Sequence, residues 1–299
     1  MKLATSTEDF AKYTFVQTES MALIHSAGFR YLDYSFIMDY VNGTGIYAHD
    51  PEKHVESVKR KAEELGMQFV QAHAPLGAPI AEDNAKFVRD TVKCIEACGK
   101  LGIPNLVVHS GYAKGLTREE TMEENRNFYR LLLPAAEANG VNILTENFNK
   151  MSIDNLYWID NAPDLLALIE YVDHPMFHAV WDTGHANMQE MPQDACLKLL
   201  GKHVRALHVQ DNFGNTDAHV PPFFGTMNPD ALMHGLEAIG YNGYFTFEAP
   251  NFFCPATKRR PFEGEDRLLC PPIALQVEGE KLLYEIGRHI LSAYGCFEI

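Results

Sequence analysis

Short apolar runs and amphipathic stretches alternate along this chain from one end to the other, and eight such pairs can be marked in order. A short apolar run bounded by turn residues reads as a buried strand, and apolar residues recurring three and four apart read as one face of a helix. The run KLATST precedes a helix over 16–27, and RYLDYSFI precedes PEKHVESVKRKAEELG, which stops at Gly66. MQFVQAHA leads to a helix over 84–101, and NLVVHS to TREETMEENRNFYRLLLPAAEANG, where Thr117 and Glu120 form a capping box. VNILTENF pairs with PDLLALIEYV, HAVWDTG with DACLKLLGKH, VRALHVQD with NPDALMHGLEAIG, and GYFTFEAP with IALQVEGEKLLYEIGRHIL. Parallel strands need a helical crossover between them, so this order predicts a single-domain α/β fold, a (β/α)8 TIM barrel over residues 1–299. An open doubly wound sheet is the rival, but no glycine-rich nucleotide turn follows the first run.

Composition narrows the functional classes. The 299 residues are 46% hydrophobic, enough for a large core that needs neither disulfides nor a structural metal. A formal net charge of −15 repels phosphate backbones, so nucleic acid is not an expected partner. The opening MKLATSTEDF carries no apolar signal segment, and no apolar run is long enough to span a bilayer. No membrane partner is expected, and the cytoplasm is the expected location. Cys94, Cys98, Cys196, Cys254, Cys270 and Cys296 are scattered without a CxxC pair, which fits reduced thiols. Two stretches exceed ordinary loop length, 149–161 after the fifth strand and 251–272 after the eighth, and both are expected over the mouth of the barrel.

The chemistry is carried by what ends the strands. In such a barrel the C-terminal strand ends share one mouth. Strand three ends in His73, strand four in His109 and strand five in Glu146. Strand six ends in Asp182 with His185 just beyond, strand seven in His208 and strand eight in Glu248. Any one of these histidines alone reads as a hydrogen-bonded core residue, whereas a carboxylate closing an apolar strand is costly to bury without a partner. Imidazole nitrogen and carboxylate oxygen suit one divalent metal ion, manganese, cobalt, magnesium or zinc. Glu146, Asp182, His208 and Glu248, from four consecutive strands, are the expected ligands. Trp181, Phe213, Phe223 and Phe224 are candidates for an apolar wall beside them.

At these residues the chain resembles the xylose-isomerase-like barrel superfamily of sugar phosphate isomerases and epimerases. The segments TEN with Glu146, DTGHANM with Asp182 and His185, LHVQDN with His208, FEAP with Glu248, and DAHVPPFFGTMNPDALM carry the resemblance. It implies a small carbohydrate substrate, with Glu146 and Glu248 as the catalytic pair that moves a proton beside a carbonyl. It implies that Glu146, Asp182, His208 and Glu248 bind the divalent ion that polarises this carbonyl, with His185 on a substrate oxygen. Oligomers are common among such barrels, so a homo-oligomer is a possible partner state. The sequence departs from ketose 3-epimerases in one respect: NFGNTDAHVPPFFG lacks the arginine usual in that loop. Another branch, the apurinic-site endonucleases, binds three zinc ions, and His73, His109, His185, Asp217 and His219 stand at matching places. Those five are therefore expected at the substrate or, on that alternative, on further metal ions. An inosose-dehydratase-like lyase is a further alternative.

Overall fold

A computed structural model gives the fold, describing residues 1–148, 158–254, 259–260, 262–265, 267–268 and 270–299. All eight apolar runs form parallel strands, ordered β7-β6-β5-β4-β3-β2-β1-β8 around one sheet. They are β1 (Lys2–Ser6), β2 (Tyr31–Ser35), β3 (Gln68–His73), β4 (Asn105–Val107), β5 (Asn142–Glu146), β6 (Phe177–Asp182), β7 (Val204–His208) and β8 (Tyr244–Phe247). The two end strands meet through a parallel bridge between Val209 and Phe247. There the Val209 amide donates to Thr246 O at 2.7 Å, and the Glu248 amide donates to Val209 O at 3.1 Å. The sheet is a nearly closed (β/α)8 barrel.

The layer around it holds α1 (Gln17–Ala27), α2 (Phe36–Asn42), α3 (Pro51–Leu65), α4 (Ala85–Leu101), α5 (Arg118–Asn139), α6 (Ala162–Val172), α7 (Thr183–Asn187), α8 (Gln193–Leu200), α9 (Pro229–Ala238) and α10 (Ile273–Ala293). The capping box at Thr117 and Glu120 is formed and opens α5. Two short helices, α2 and α7, replace residues read from sequence as strand. The cause is local: Ser35 accepts from the Ile37 amide, and Asp182 accepts from the His185 amide. A side-chain oxygen that satisfies orphan amides turns an extended chain into a helix start. Among the described residues, no helix is long and apolar enough to cross a membrane. Cys94, Cys98 and Cys196 are buried thiols.

Strand side chains alternate between two environments. Outward-facing Leu3, Leu32, Phe69, Ile143, Phe177, Trp181, Leu207, Phe245 and Phe247 are buried under the helices in the main core. Burying each such side chain stabilises the fold by roughly 1.5–3 kcal/mol. Gly287 lets α10 lie close on β1 and β8, since a Cβ there would come within 2.6 Å of Leu3 and 2.7 Å of Phe247. Inward-facing Val107, Leu144, Val180 and Ala206 form a separate small apolar cluster inside the barrel. Two residues further along each of those strands come His109, Glu146, Asp182 and His208. The period of two places these four on the same inward face, one step nearer the mouth.

Candidate active site

Glu146 is the hub of the mouth. It is 2% exposed, and its two oxygens meet four imidazoles. Oε2 lies 2.9 Å from His109 Nε2 and 3.8 Å from His73 Nε2. Oε1 lies 3.2 Å from His185 Nδ1 and 3.3 Å from His208 Nδ1. Burial works to raise the Glu146 carboxyl, but His208 and His109 beside it outweigh burial and hold it well below the usual range.

Asp182 is held from two sides. Its Oδ1 accepts from the His185 amide at 2.6 Å and from Gln210 Nε2 at 3.2 Å. Gly184 leaves room for that glutamine, because a Cβ there would fall 2.0 Å from Gln210 Oε1. Asn147 ties the adjacent strand ends together, accepting from the Asp182 amide and donating to the Asp182 carbonyl, each at 2.8 Å. Burial pushes the Asp182 carboxyl up to about 7. A carboxyl strained in this way is one that a cation would stabilise.

Ligand atoms of Glu146, Asp182, His208 and Glu248 all lie within 4.8 Å of one another. His208 decides whether they fit a metal ion. Its Nε2 sits 3.1 Å from Asp33 Oδ2, which places the ring proton on Nε2. Its Nδ1 is turned to the carboxylates, 3.3 Å from Glu146 Oε1 and 3.7 Å from Glu248 Oε2; burial works against charge on the ring, but Glu248 and Glu146 hold it well above its usual range. That nitrogen is buried and has no hydrogen-bond partner among the described residues. Nδ1 meets those carboxylates either as an imidazolium N–H or as a lone pair on a cation, and a set of one imidazole and three carboxylates converging within 4.8 Å fits a divalent ion.

The remaining expected residues form two adjoining groups. His73, His109 and Glu146 bring ligand atoms within 4.8 Å of one another, and so do His185, Asp217 and His219. Asp217 lies 3.2 Å from His185 Nε2 and 3.1 Å from His219 Nε2. The Nδ1 atoms of those two rings face backbone carbonyls, Asn147 O and Glu248 O, each at 2.9 Å. Carbonyls accept only, so each Nδ1 carries a proton and each Nε2 meets Asp217 either as imidazolium or across a cation. Burial disfavours charge on His219, yet Asp217 lifts it to about 10.

The apolar wall corrects one expectation. Trp181 faces outward into the helix layer, wholly buried in the main core. Phe213, Phe223 and Phe224 are 55%, 57% and 45% exposed and do not line the cavity over the site. Its apolar lining includes Ile37, Leu76 and Phe148. Trp181 is odd in register where Asp182 is even, so strand alternation alone separates them. Of the two long stretches expected over the mouth, 149–161 and 251–272, residues 149–157, 255–258, 261, 266 and 269 lie outside the described residues.

Sequence reading passed over Asp33, Gln71, Asn147 and Gln210. A signal existed for the first: an aspartate in the middle of an apolar strand run needs a buried partner. Gln71 Nε2 donates to Asp33 Oδ2 at 2.8 Å and holds it against His208.

Residues 21–261 match the family described as xylose isomerase-like TIM barrel. The chain belongs to that family. Among curated relatives, the Sinorhizobium fredii protein y4fM is 25% identical over 261 residues, covering 77% of this chain and 80% of that one. Fructoselysine 3-epimerase of Escherichia coli is 33% identical over 88 residues, 29% of this chain and 32% of the relative. Among solved structures, a D-tagatose 3-epimerase-like protein superposes with a TM-score of 0.74 at 20% identity, covering 99% of this chain and 100% of that one.

Proposed function

We propose that this chain is a divalent-metal-dependent sugar isomerase or epimerase acting at the carbon beside a carbonyl. The observation that carries the reading is the convergence of Glu146, Asp182, His208 and Glu248, with the buried, unbonded His208 Nδ1 turned toward two carboxylates. The local likeness to fructoselysine 3-epimerase and the fold shared with the D-tagatose 3-epimerase-like protein support it.

A divalent ion bound there would supply Lewis-acid polarisation of a substrate carbonyl. The rest is the work of the side chains. Glu146 and Glu248 stand on β5 and just beyond β8, on either side of His208. A substrate carbon between them meets a carboxylate on each face, so one takes its proton and the other returns one. His109 holds Glu146 in place by its 2.9 Å contact. His185, turned by Asn147 O, holds Asp217 with its other edge, and the two together line the cavity where a substrate oxygen would lie. Phe148, Leu76 and Ile37 screen the reacting carbon from water.

The test is solvent-deuterium uptake into free ketoses, aldoses, inososes and sugar phosphates by protein loaded in turn with manganese, cobalt, magnesium or zinc. Uptake that vanishes on chelation supports the reading, and no uptake into any of these sugars overturns it.

One observation favours a second reading, a metal-cluster phosphodiester hydrolase. Three ligand groups adjoin, two of them sharing Glu146, and the Nε2 atoms of His185 and His219 both face Asp217. Elemental analysis separates the two. About one ion per chain fits the isomerase and about three the hydrolase.

A further inference from the structure

We propose that Glu8 is a specificity-determining residue, which completes its hydrogen bonding with a hydroxyl or ammonium of the substrate and thereby excludes phosphorylated sugars. The inference rests on the sugar-isomerase reading above.

The cavity over the site is about 360 Å3. Among its described lining residues the carboxyl groups are Glu8, Asp9, Glu146, Asp217 and Glu248, and the one permanent cation is Lys12. Four of the five carboxyls have an evident source of neutralisation. Glu146 and Glu248 belong to the cation site, and Asp217 lies between two imidazoles at 3.2 and 3.1 Å. Asp9 shares a proton with Glu280 through Thr5. The Thr5 hydroxyl is bonded to Asp9 Oδ2 and lies 3.2 Å from Glu280 Oε1. One hydroxyl proton cannot serve two carboxylates, so one acid of the pair is protonated.

Glu8 is the remainder. It stands on the 3-10 turn Thr7–Phe10 that follows β1, with its amide bonded to Ser6 Oγ at 3.1 Å. Its Oε2 accepts from the neutral Ser35 hydroxyl at 2.8 Å, and its Oε1 accepts no hydrogen bond from the described residues. Burial, with Glu248 adding to it, raises its carboxyl above the usual range and outweighs the Ser35 bond and the His73 and His219 rings that act the other way. Lys12 is at the exposed rim and gives a hydrogen bond to Asn251 Oδ1 at 2.8 Å.

Position assigns the role. In the closed strand order β1 is opposite β5, so Glu8 faces the site from across the barrel from Glu146. A ketose held at its carbonyl end by the metal site extends its far end toward β1. A hydroxyl or ammonium there gives Glu8 the donor it lacks. A phosphate there meets a half-buried carboxylate and no arginine among the described lining residues, a like-charge contact that disfavours binding.

The test compares D-fructose, 6-deoxy-D-fructose and D-fructose 6-phosphate, which differ only at the far end, on manganese-loaded protein, by solvent-deuterium uptake and by calorimetric binding without turnover. The wild type is expected to prefer both unphosphorylated sugars by about 100-fold or more in affinity or kcat/KM. Glu8→Gln keeps the shape and is expected to cost about tenfold or more on D-fructose. The loss falls mainly in KM, is small for the 6-deoxy sugar, which brings Glu8 no donor, and the discrimination against phosphate narrows. Ser35→Ala is expected to cost only a few-fold. Equal binding of the phosphate, or Glu8→Gln within about twofold of wild type on every sugar, overturns the proposal. If no sugar takes up deuterium while binding still depends on Glu8, the proton-transfer reading falls and this one stands.

Discussion

Two layers of the barrel interior, one strand step apart, solve opposite problems. The lower layer, Val107, Leu144, Val180 and Ala206, is apolar and buried. The upper layer, His109, Glu146, Asp182 and His208, rises from the same four strands and is equally buried, with exposures of 8%, 2%, 0% and 0%. Burial stabilises the first and costs the second, since ionised groups give up hydration that imidazoles only partly replace. The fold therefore rests on the lower layer, and the upper layer is held in place by it, ready for a cation. The two layers should separate stability from activity.

The largest separation is expected at Glu248, which is partly exposed at the mouth. Glu248→Gln keeps the shape and removes the proton acceptor, so deuterium uptake should fall by about a thousandfold, within the range of general acid–base catalysis. Its melting temperature should stay within a few degrees of wild type. Retained uptake would falsify the acid/base role of Glu248. The complementary cut is Leu144→Ala, two residues below Glu146. Removing a wholly buried leucine should cost about 3 kcal/mol in denaturant unfolding, while uptake per folded molecule stays within a few-fold. A Leu144→Ala protein as stable as wild type would mean that the lower layer does not hold the barrel.

How much of this was legible beforehand follows the same division. Eight strand–helix pairs could be marked because each buries an apolar face with its own period, and that signal is local. The strand-end residues His73, His109, Glu146, Asp182, His208 and Glu248 could be marked for a related reason, since a polar side chain closing an apolar run stands out. Gln71 and Gln210 could not, because their meaning lies in contacts across the barrel, and Asp33 stands out only as an acid within an apolar run, its partner His208 being 175 positions away in the chain. Trp181 was misread for want of register. The strand alternates, and a residue next to a ligand points away from it. The short helices α2 and α7 hinge on single caps at Ser35 and Asp182, weak signals beside a strong apolar run.

A third carboxyl site sharpens the comparison, since it is neutralised by a proton instead of imidazoles. Glu280, on α10, is wholly buried beside Asp9 and Thr5, and burial lifts its carboxyl from 4.5 to about 7. Between those values the folded chain keeps a proton that the unfolded chain has lost. Stability from this group is thus complete below about pH 4.5, declines as pH rises toward 7, and stays lost above it. Glu280→Gln should unfold at a higher denaturant midpoint than wild type at pH 8.5, by up to about 3 kcal/mol, with the gap closing toward pH 5. A gap that does not change with pH would show that the pair does not share a proton.

The smallest effect expected is at Asp33, which touches the upper layer from behind. Its Oδ2 takes both the Gln71 amide and the His208 ring proton, at 2.8 and 3.1 Å, while Oδ1 has no hydrogen-bond partner among the described residues. Asp33→Asn can keep its oxygen on the first two groups and set its new amide hydrogens where Oδ1 stood, so the geometry survives and the negative charge does not. A less basic His208 holds a cation less tightly, and loss of such a partner typically costs 10- to 100-fold in metal affinity. Because the hydrogen bond is kept, the expected loss is about tenfold, read by competition with a chelator and so independent of turnover. Leu144→Ala should leave that affinity near wild type, because it undermines the barrel and not the tautomer of His208. If Asp33→Asn binds manganese as tightly as wild type, then the charge behind the ring is not what prepares Nδ1, and packing from the lower layer alone must orient it.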